Sequence, residues 1–416
     1  MLHSFIFMFC GILLPVFLIV NGLRFGARQR FFYILHPIKA TRDIISGRGG
    51  FKALSLALAG TLGIGNIVGV SSAIIMGGGG SVFWMIASAF IAMSIKYAET
   101  FFSVKYKKVK GGISFGGAPY YVREAFYGKR GVILALAFAL LCMGNSLITG
   151  NLVQINGIKD IFPLSPTFIG LSFALFFLLV YSRGTEKISS VTAIIIPLLT
   201  SIHIIISLAI ILSNLTHVPR VFANILCEAF NFKSALYGVG SYSILTAIRY
   251  GVSRGILSNE AGCGTSPIAH ASSENPPHIQ GCLGVFEVFF DTVVLCTLTA
   301  LVILLYGEIS LSPISLAFEA YGHYFGAFGK WFIKISCIIY AYSTVLSQFY
   351  YGDKSLSFIS GNGIIHTLFA FLYAFICFIA PFVPSDIMWT LSDINVSVLI
   401  FFNVTVLNFL YRKKDT

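Results

Sequence analysis

Long apolar runs recur along this chain from end to end, and no stretch between them is long and polar enough to fold by itself. An α-helix needs about 20 mainly apolar residues to cross a bilayer, because every backbone N–H and C=O must be satisfied within the spanning segment. Eleven segments qualify: 4–23, 52–78, 81–104, 131–156, 166–182, 189–213, 235–257, 280–306, 329–350, 363–381 and 385–410. Only 11% of the residues are charged, against roughly 25% in an average soluble domain. The expectation is an all-α integral membrane protein, with residues 1–416 forming a single transmembrane domain. The first run has no basic residue before it and no small-residue cleavage pattern behind it, so it reads as a retained helix.

The net charge of +12 would suit nucleic acid only if the basic residues gathered on one soluble face. Instead they fall between the apolar runs. Cytoplasmic loops carry the excess of Lys and Arg. With the loop after the first run placed inside, 22 of the 28 basic residues fall on that side, five on the other, and Lys96 within a span. This predicts the N-terminus outside and the C-terminus in the cytoplasm. The eight cysteines have no paired spacing that suggests a metal or redox motif.

The run 52–78 contains Gly60-Thr61-Leu62-Gly63-Ile64-Gly65-Asn66, a glycine density that costs helix stability at each position. Glycines in membrane helices also serve as close-packing surfaces, but three in six residues beside Thr and Asn suggest an unwound stretch. There, free N–H groups can hold an anion and free carbonyls a cation. A second interruption, Tyr237-Gly238-Val239-Gly240-Ser241, lies five runs later. Two interrupted helices at matching positions of two five-helix halves point to an inverted-repeat transporter with its site between the halves.

Several segments resemble the alanine/glycine:cation symporter family, the sodium:alanine symporters. They are GTLGIGNIVGVSSAI (60–74), GGGGSVFWM with KYAE (77–99), GNLVQIN (150–156), AIRYGVSRGILSNEAGCGTSPIAHA (247–271) and DTVVLCTLTALVIL (291–304). The resemblance implies a fold like the bacterial leucine transporter: ten core helices in a 5+5 inverted repeat, about 52–213 and 235–410, plus an extra N-terminal helix, 4–23. It also implies uptake of a small neutral amino acid (alanine or glycine, with serine as a further candidate) driven by Na+, or alternatively H+, through alternating access in a plasma or bacterial inner membrane.

On that resemblance, Ile64 and Gly65 offer N–H groups to a substrate carboxylate, Thr61, Gly63 and Asn66 shape the pocket, and Gln154, Gly238 and Gln348 complete it. Ser343 and Thr344 would hold Na+ with the carbonyls of Ala59 and Leu62, a set of oxygens that suits a hard cation. Hydroxyls in membrane helices also bond to carbonyls of their own helix, so both readings of Ser343 and Thr344 stand. Asn156 is a further candidate substrate contact. Asp291 and Asp393 are acidic residues in apolar surroundings, which mark function or a structural pairing. Glu260 is expected on the cytoplasmic side past Arg254, as a gate or loop-ordering residue. The chain departs from the family's glycine and tryptophan after Ser343-Thr344, carrying Ser347 and Gln348 instead, which leaves the side chain of the substrate open.

No HExxH, nucleophile–base pair or convergent acid–base set occurs, so a membrane enzyme is not expected. A transport-dead sensor or channel of the same fold is the alternative. The expected partners are the lipid bilayer and a small amino acid, with no nucleic acid; the oligomeric state is left open.

Overall fold

A computed structural model describes residues 13–47, 50–110, 113–162, 164–230, 244–308 and 312–414, which are almost wholly α-helical. The chain opens with α1 (Leu14–Arg28) and a short amphipathic helix α2 (Pro37–Ser46). Two half-length helices follow, α3 (Phe51–Thr61) and α4 (Val68–Gly77), then α5 (Gly80–Lys105). A two-stranded hairpin, β1 (Lys108–Lys110) with β2 (Ile113–Phe115), leads towards α6 (Gly128–Leu147). A π-turn at Ile148–Leu152 then carries the chain into α7 (Val153–Lys159). Next come α8 (Pro166–Tyr181), α9 (Thr185–Ser213) and α10 (Val218–Ala229). The second half comprises α11 (Ile244–Asn259), α12 (Pro277–Val288), a π-segment at Phe289–Cys296, α13 (Thr297–Tyr306), α14 (Pro313–Ile359), α15 (Gly363–Ile379) and α16 (Ser385–Lys414).

Among the described residues, seven helical stretches are long and apolar enough to cross a membrane: 80–105, 128–159, 190–213, 277–306, 315–359, 363–382 and 385–413. Large apolar side chains such as Leu175, Ile194, Leu368 and Phe375 point outward. On a chain this apolar they form the surface presented to lipid.

The observed helices refine the expected ones in three places. Residues 52–78 form two short helices separated by a non-helical stretch, as the glycines suggest. The run at 329–350 belongs to a longer helix that starts at Pro313 and bends at Gly326, which alone within it leaves helical geometry (φ 58°). The segment 218–229, not expected as an element, is an amphipathic helix whose Glu228 Oε2 accepts from Gly80 N at 3.3 Å, at the start of α5. The interruption Tyr237–Ser241, with Gly238, lies outside the described residues.

α5 packs along α11 and α12, while α14 lies against α6, α3 and α4. The two half-helices α3 and α4 are thereby enclosed on several sides, and Leu56 through Leu62 are buried. An unwound backbone can exist at membrane depth only when protein surrounds it in this way.

Candidate functional site

The helix α3 stops because Leu62 (ψ 80°) and Gly63 (φ −113°, ψ −159°) leave helical geometry, and a single 3₁₀ turn, Ile64–Asn66, precedes α4. The freed groups are met by side chains from two other elements, α7 and α14. Ile64 N donates to Gln154 Oε1 at 3.0 Å. The Thr344 hydroxyl lies 3.0 Å from Ala59 O and 3.3 Å from Leu62 O. Gln348 Nε2 lies 3.3 Å from Gly60 O. A β-carbon at Gly63 would press into the Gln154 amide, which is why that position carries none.

The π-turn at 148–152 brings Gln154 to this point, its Nε2 reaching back to Thr149 O at 3.4 Å. Such turns insert one extra residue and recur at functional sites. Gly150 faces Gln348, whose side chain occupies the volume a β-carbon would need. Asn156 is elsewhere: it donates to Ala380 O and Val383 O at 2.9 and 2.7 Å and accepts from Ser385, fixing the α15–α16 connection.

A second break faces the first. α11 ends at Asn259, and the chain runs non-helically through Glu260–Ser266, with Glu260, Gly262 and Gly264 all at positive φ (49°, 91° and 74°), before a short turn at Pro267–His270. Glycine adopts that conformation freely, whereas Glu260 does so at a cost of order 1–3 kcal/mol. Its carboxylate is anchored on both oxygens, by Thr265 Oγ1 at 2.6 Å and Gln348 Nε2 at 2.8 Å. Glu260, expected past Arg254 as a gate or loop-ordering residue, follows the end of α11 directly and lines a cavity with Gly60, Thr61, Gly63, Ile64, Gly65, Thr149, Gln154, Leu257 and Trp389. Arg254 consequently lies over the Trp389 ring at 5.0 Å, near the start of α16. Placing Arg249 and Arg254 at that end leaves 20 basic residues against seven, so the charge asymmetry persists.

The cavity holds about 10 Å³, room for about one water. Gln348, expected in the pocket, instead spends its amide on Glu260, Gly60 and Asn145. The structure brings Thr344 to the carbonyls of Ala59 and Leu62, while the Ser343 hydroxyl donates to Tyr340 O of its own helix at 2.9 Å. Asn66 turns away from the cavity to donate to Asp291 Oδ1 at 2.7 Å. Asp291, within the second π-segment, also accepts from Ser258 at 2.9 Å and Thr292 at 2.7 Å. Asn66 Oδ1 is buried beside this carboxylate without a hydrogen-bond partner.

Beyond the second break lies a fully buried charged network. Lys96 Nζ is 2.7 Å from Ser266 Oγ and 3.4 Å from both Glu99 and Glu287. Glu99 accepts from Gly264 N at 3.1 Å and from Asn403 at 2.8 Å, while Glu287 meets His270 at 2.9 Å. Lys96 is thus the hub that ties α5, α12 and the 260–270 segment together.

The family description "Sodium:alanine symporter family" matches residues 1–414. An uncharacterized transporter of Bacillus subtilis is 32% identical over 418 residues, covering 96% of this chain and 88% of its own. A sodium/alanine symporter of Methanococcus maripaludis is 34% identical over 356 residues, covering 82% and 77%. In overall shape, the solved manganese transporter of Eremococcus coleocola aligns with a TM-score of 0.49 at 11% identity, over 85% of this chain and 76% of that one. A match across 414 residues with relatives above 30% identity leaves one assignment: this chain belongs to the sodium:alanine symporter family of membrane transport proteins.

Proposed function

We propose that this chain is a secondary symporter that moves a small neutral amino acid with Na+ by alternating access across a plasma membrane. The observation that carries the reading is the pair of facing breaks, 62–67 and 260–266, around one small cavity. Unwound segments at matching positions of two halves are where such transporters bind substrate and ion. On this reading residues 1–416 form one domain of ten core helices plus an N-terminal helix, with the C-terminus cytoplasmic.

The Gln154 amide oxygen stands where a substrate carboxylate oxygen would stand. It accepts from Ile64 N at 3.0 Å, at the amino end of the 3₁₀ turn, where N–H dipoles favour an anion. Substrate would take that hydrogen bond and move Gln154 aside, enlarging a cavity that now holds about 10 Å³. Gly63, Gly65 and Thr61 would leave room for a small side chain. Alanine is the first candidate because the relative from Methanococcus maripaludis is a sodium/alanine symporter, with glycine and serine next.

For the ion, the Ala59 and Leu62 carbonyls with Thr344 form an all-oxygen set. Turning the hydroxyl hydrogen away would leave three oxygens facing one point, and Ser343 could join only by giving up Tyr340 O. Asp291 with Asn66 Oδ1 and Ser258 is a second oxygen cluster, and its carboxylate could take a cation or a proton.

The test is uptake of labelled alanine, glycine and serine into proteoliposomes under an inward Na+ gradient, with K+ as control. Accumulation that requires Na+, and that needs a higher Na+ concentration in Thr344→Ala, supports both substrate class and ion site. Folded protein that takes up none of the three in either salt rules out this substrate class.

A further inference from the structure

We propose that Asp43, His278 and Cys282 form a binding site for a zinc-like divalent metal ion that ties α2 to α12. Asp43 sits on α2, and His278 and Cys282 are one turn apart on α12, so their side chains share a face. One oxygen, one ring nitrogen and the Cys282 sulfur lie within 4.8 Å of one another. His278 Nε2 is 3.3 Å from Asp43 Oδ2. This mixed O, N and S set suits Zn2+ or its spectroscopic substitute Co2+, whereas Na+, Ca2+ and Mg2+ prefer oxygen alone. Water would supply the fourth ligand.

The second ring nitrogen carries an independent sign of a built site. His278 Nδ1 lies 2.7 Å from the Tyr97 hydroxyl on α5. Histidine ligands characteristically have their other nitrogen held by such an outer partner, which fixes the ring and its tautomer. Metal binding would take the Nε2 lone pair, with the neutral ring's single proton on Nδ1 donating to the Tyr97 oxygen, and would displace the thiol proton to solvent. Access is open, since the His278 side chain is 46% exposed and that of Asp43 22%, while Cys282 is buried beneath them.

The position gives the metal a purpose. α2 ends at Ser46, and α3, whose last residues enter the first break, begins at Phe51. α2 shows Ile38 and Ile45 outward, as a helix lying along a membrane surface does. Tying it to α12 would restrain the base of α3, so bound Zn2+ is expected to slow uptake. Binding stands apart from the transport reading; the slowing rests on it.

The experiment titrates Co2+ into purified full-length protein in detergent, in a Cys227→Ser background because Cys227 is an exposed thiol. One Co2+ per chain with a thiolate-to-cobalt charge-transfer band is expected, displaced by Zn2+. Cys282→Ser should remove the band. His278→Ala, at a partly exposed position, should weaken binding without disturbing the fold. Tyr97→Phe should weaken it by roughly 10- to 100-fold, the usual cost of losing an outer partner. An unchanged band in Cys282→Ser, or no thiolate band in folded protein, would overturn the site. In proteoliposomes, Zn2+ should slow uptake by the parent and not by His278→Ala; equal rates with Zn2+ bound would discard the restraint while leaving the site.

Discussion

The two facing breaks are built on opposite plans. At the first, residues 62–67, the partners that meet the loosened backbone are neutral amides and one hydroxyl from α7 and α14. At the second, residues 260–266, glutamates and a lysine buried at 0–4% exposure hold the chain through charge-assisted bonds. Neutral hydrogen bonds contribute about 1 kcal/mol net each, whereas groups in a buried ionic network lose far more when a partner goes. The first break can therefore exchange partners at small cost, as the proposed binding would require. On that proposal the second is a fixed wall against which the first moves, and Gln348 links the two by touching both Gly60 O and Glu260.

The largest test removes the hub of the wall. Lys96→Met leaves Glu99 and Glu287 buried without their cation, and breaking a buried pair in this way costs about 3–5 kcal/mol. Thermal unfolding in detergent should show a drop greater than that of any single change at the first break. A shift no larger than that of Thr344→Ala would remove the distinction between the two plans.

Next comes the link. Gly150→Ala places a methyl group where Gln348 now lies, an overpacking that costs about 1–3 kcal/mol. If Gln348 is pushed from Glu260, uptake should fall by more than the loss of stability explains. Glu260→Gln sharpens this: the isosteric amide keeps its oxygen for the Gln348 amide and turns its NH2 to Thr265, whose hydroxyl can accept, while the charge is removed. Uptake should fall with the melting temperature near that of the parent. Normal uptake would make the carboxylate a strut alone.

How far these plans are legible in the sequence differs between them for a physical reason. The first break is written in composition, because GTLGIGN packs helix-weakening residues into one turn of chain. The second hides in SNEAGCGT. Only Gly262 and Gly264 mark it locally, and its partners Glu99, Glu287 and Gln348 lie far away in sequence. Glycine counting therefore pointed to 237–241, which lies outside the described residues, and passed over 260–266. The π-segments are equally silent, since 148–152 and 289–296 continue apolar helical runs without a break in pattern. The charge rule groups basic residues by loop, and it put Arg249 and Arg254 with the loop after their helix, whereas Arg254 lies over Trp389 near the start of α16.

The smallest effect separates two neighbouring hydroxyls that the sequence could not rank. Thr344 points across to Ala59 O and Leu62 O, and Ser343 points to Tyr340 O within its own helix. If the first break binds the ion, Thr344→Ala removes one oxygen from its shell, worth about 1 kcal/mol, or roughly a fivefold rise in the Na+ concentration for half-maximal uptake. Thr344→Ser keeps the oxygen and should stay near the parent. Ser343→Ala should leave Na+ dependence nearly unchanged, because its hydroxyl already has a partner in α14. Sodium titrations of uptake by the three variants check this ranking. Equal effects of the two alanine substitutions would mean that Ser343 rotates into the shell when the ion binds, and that the first break rearranges its side chains as readily as its backbone partners.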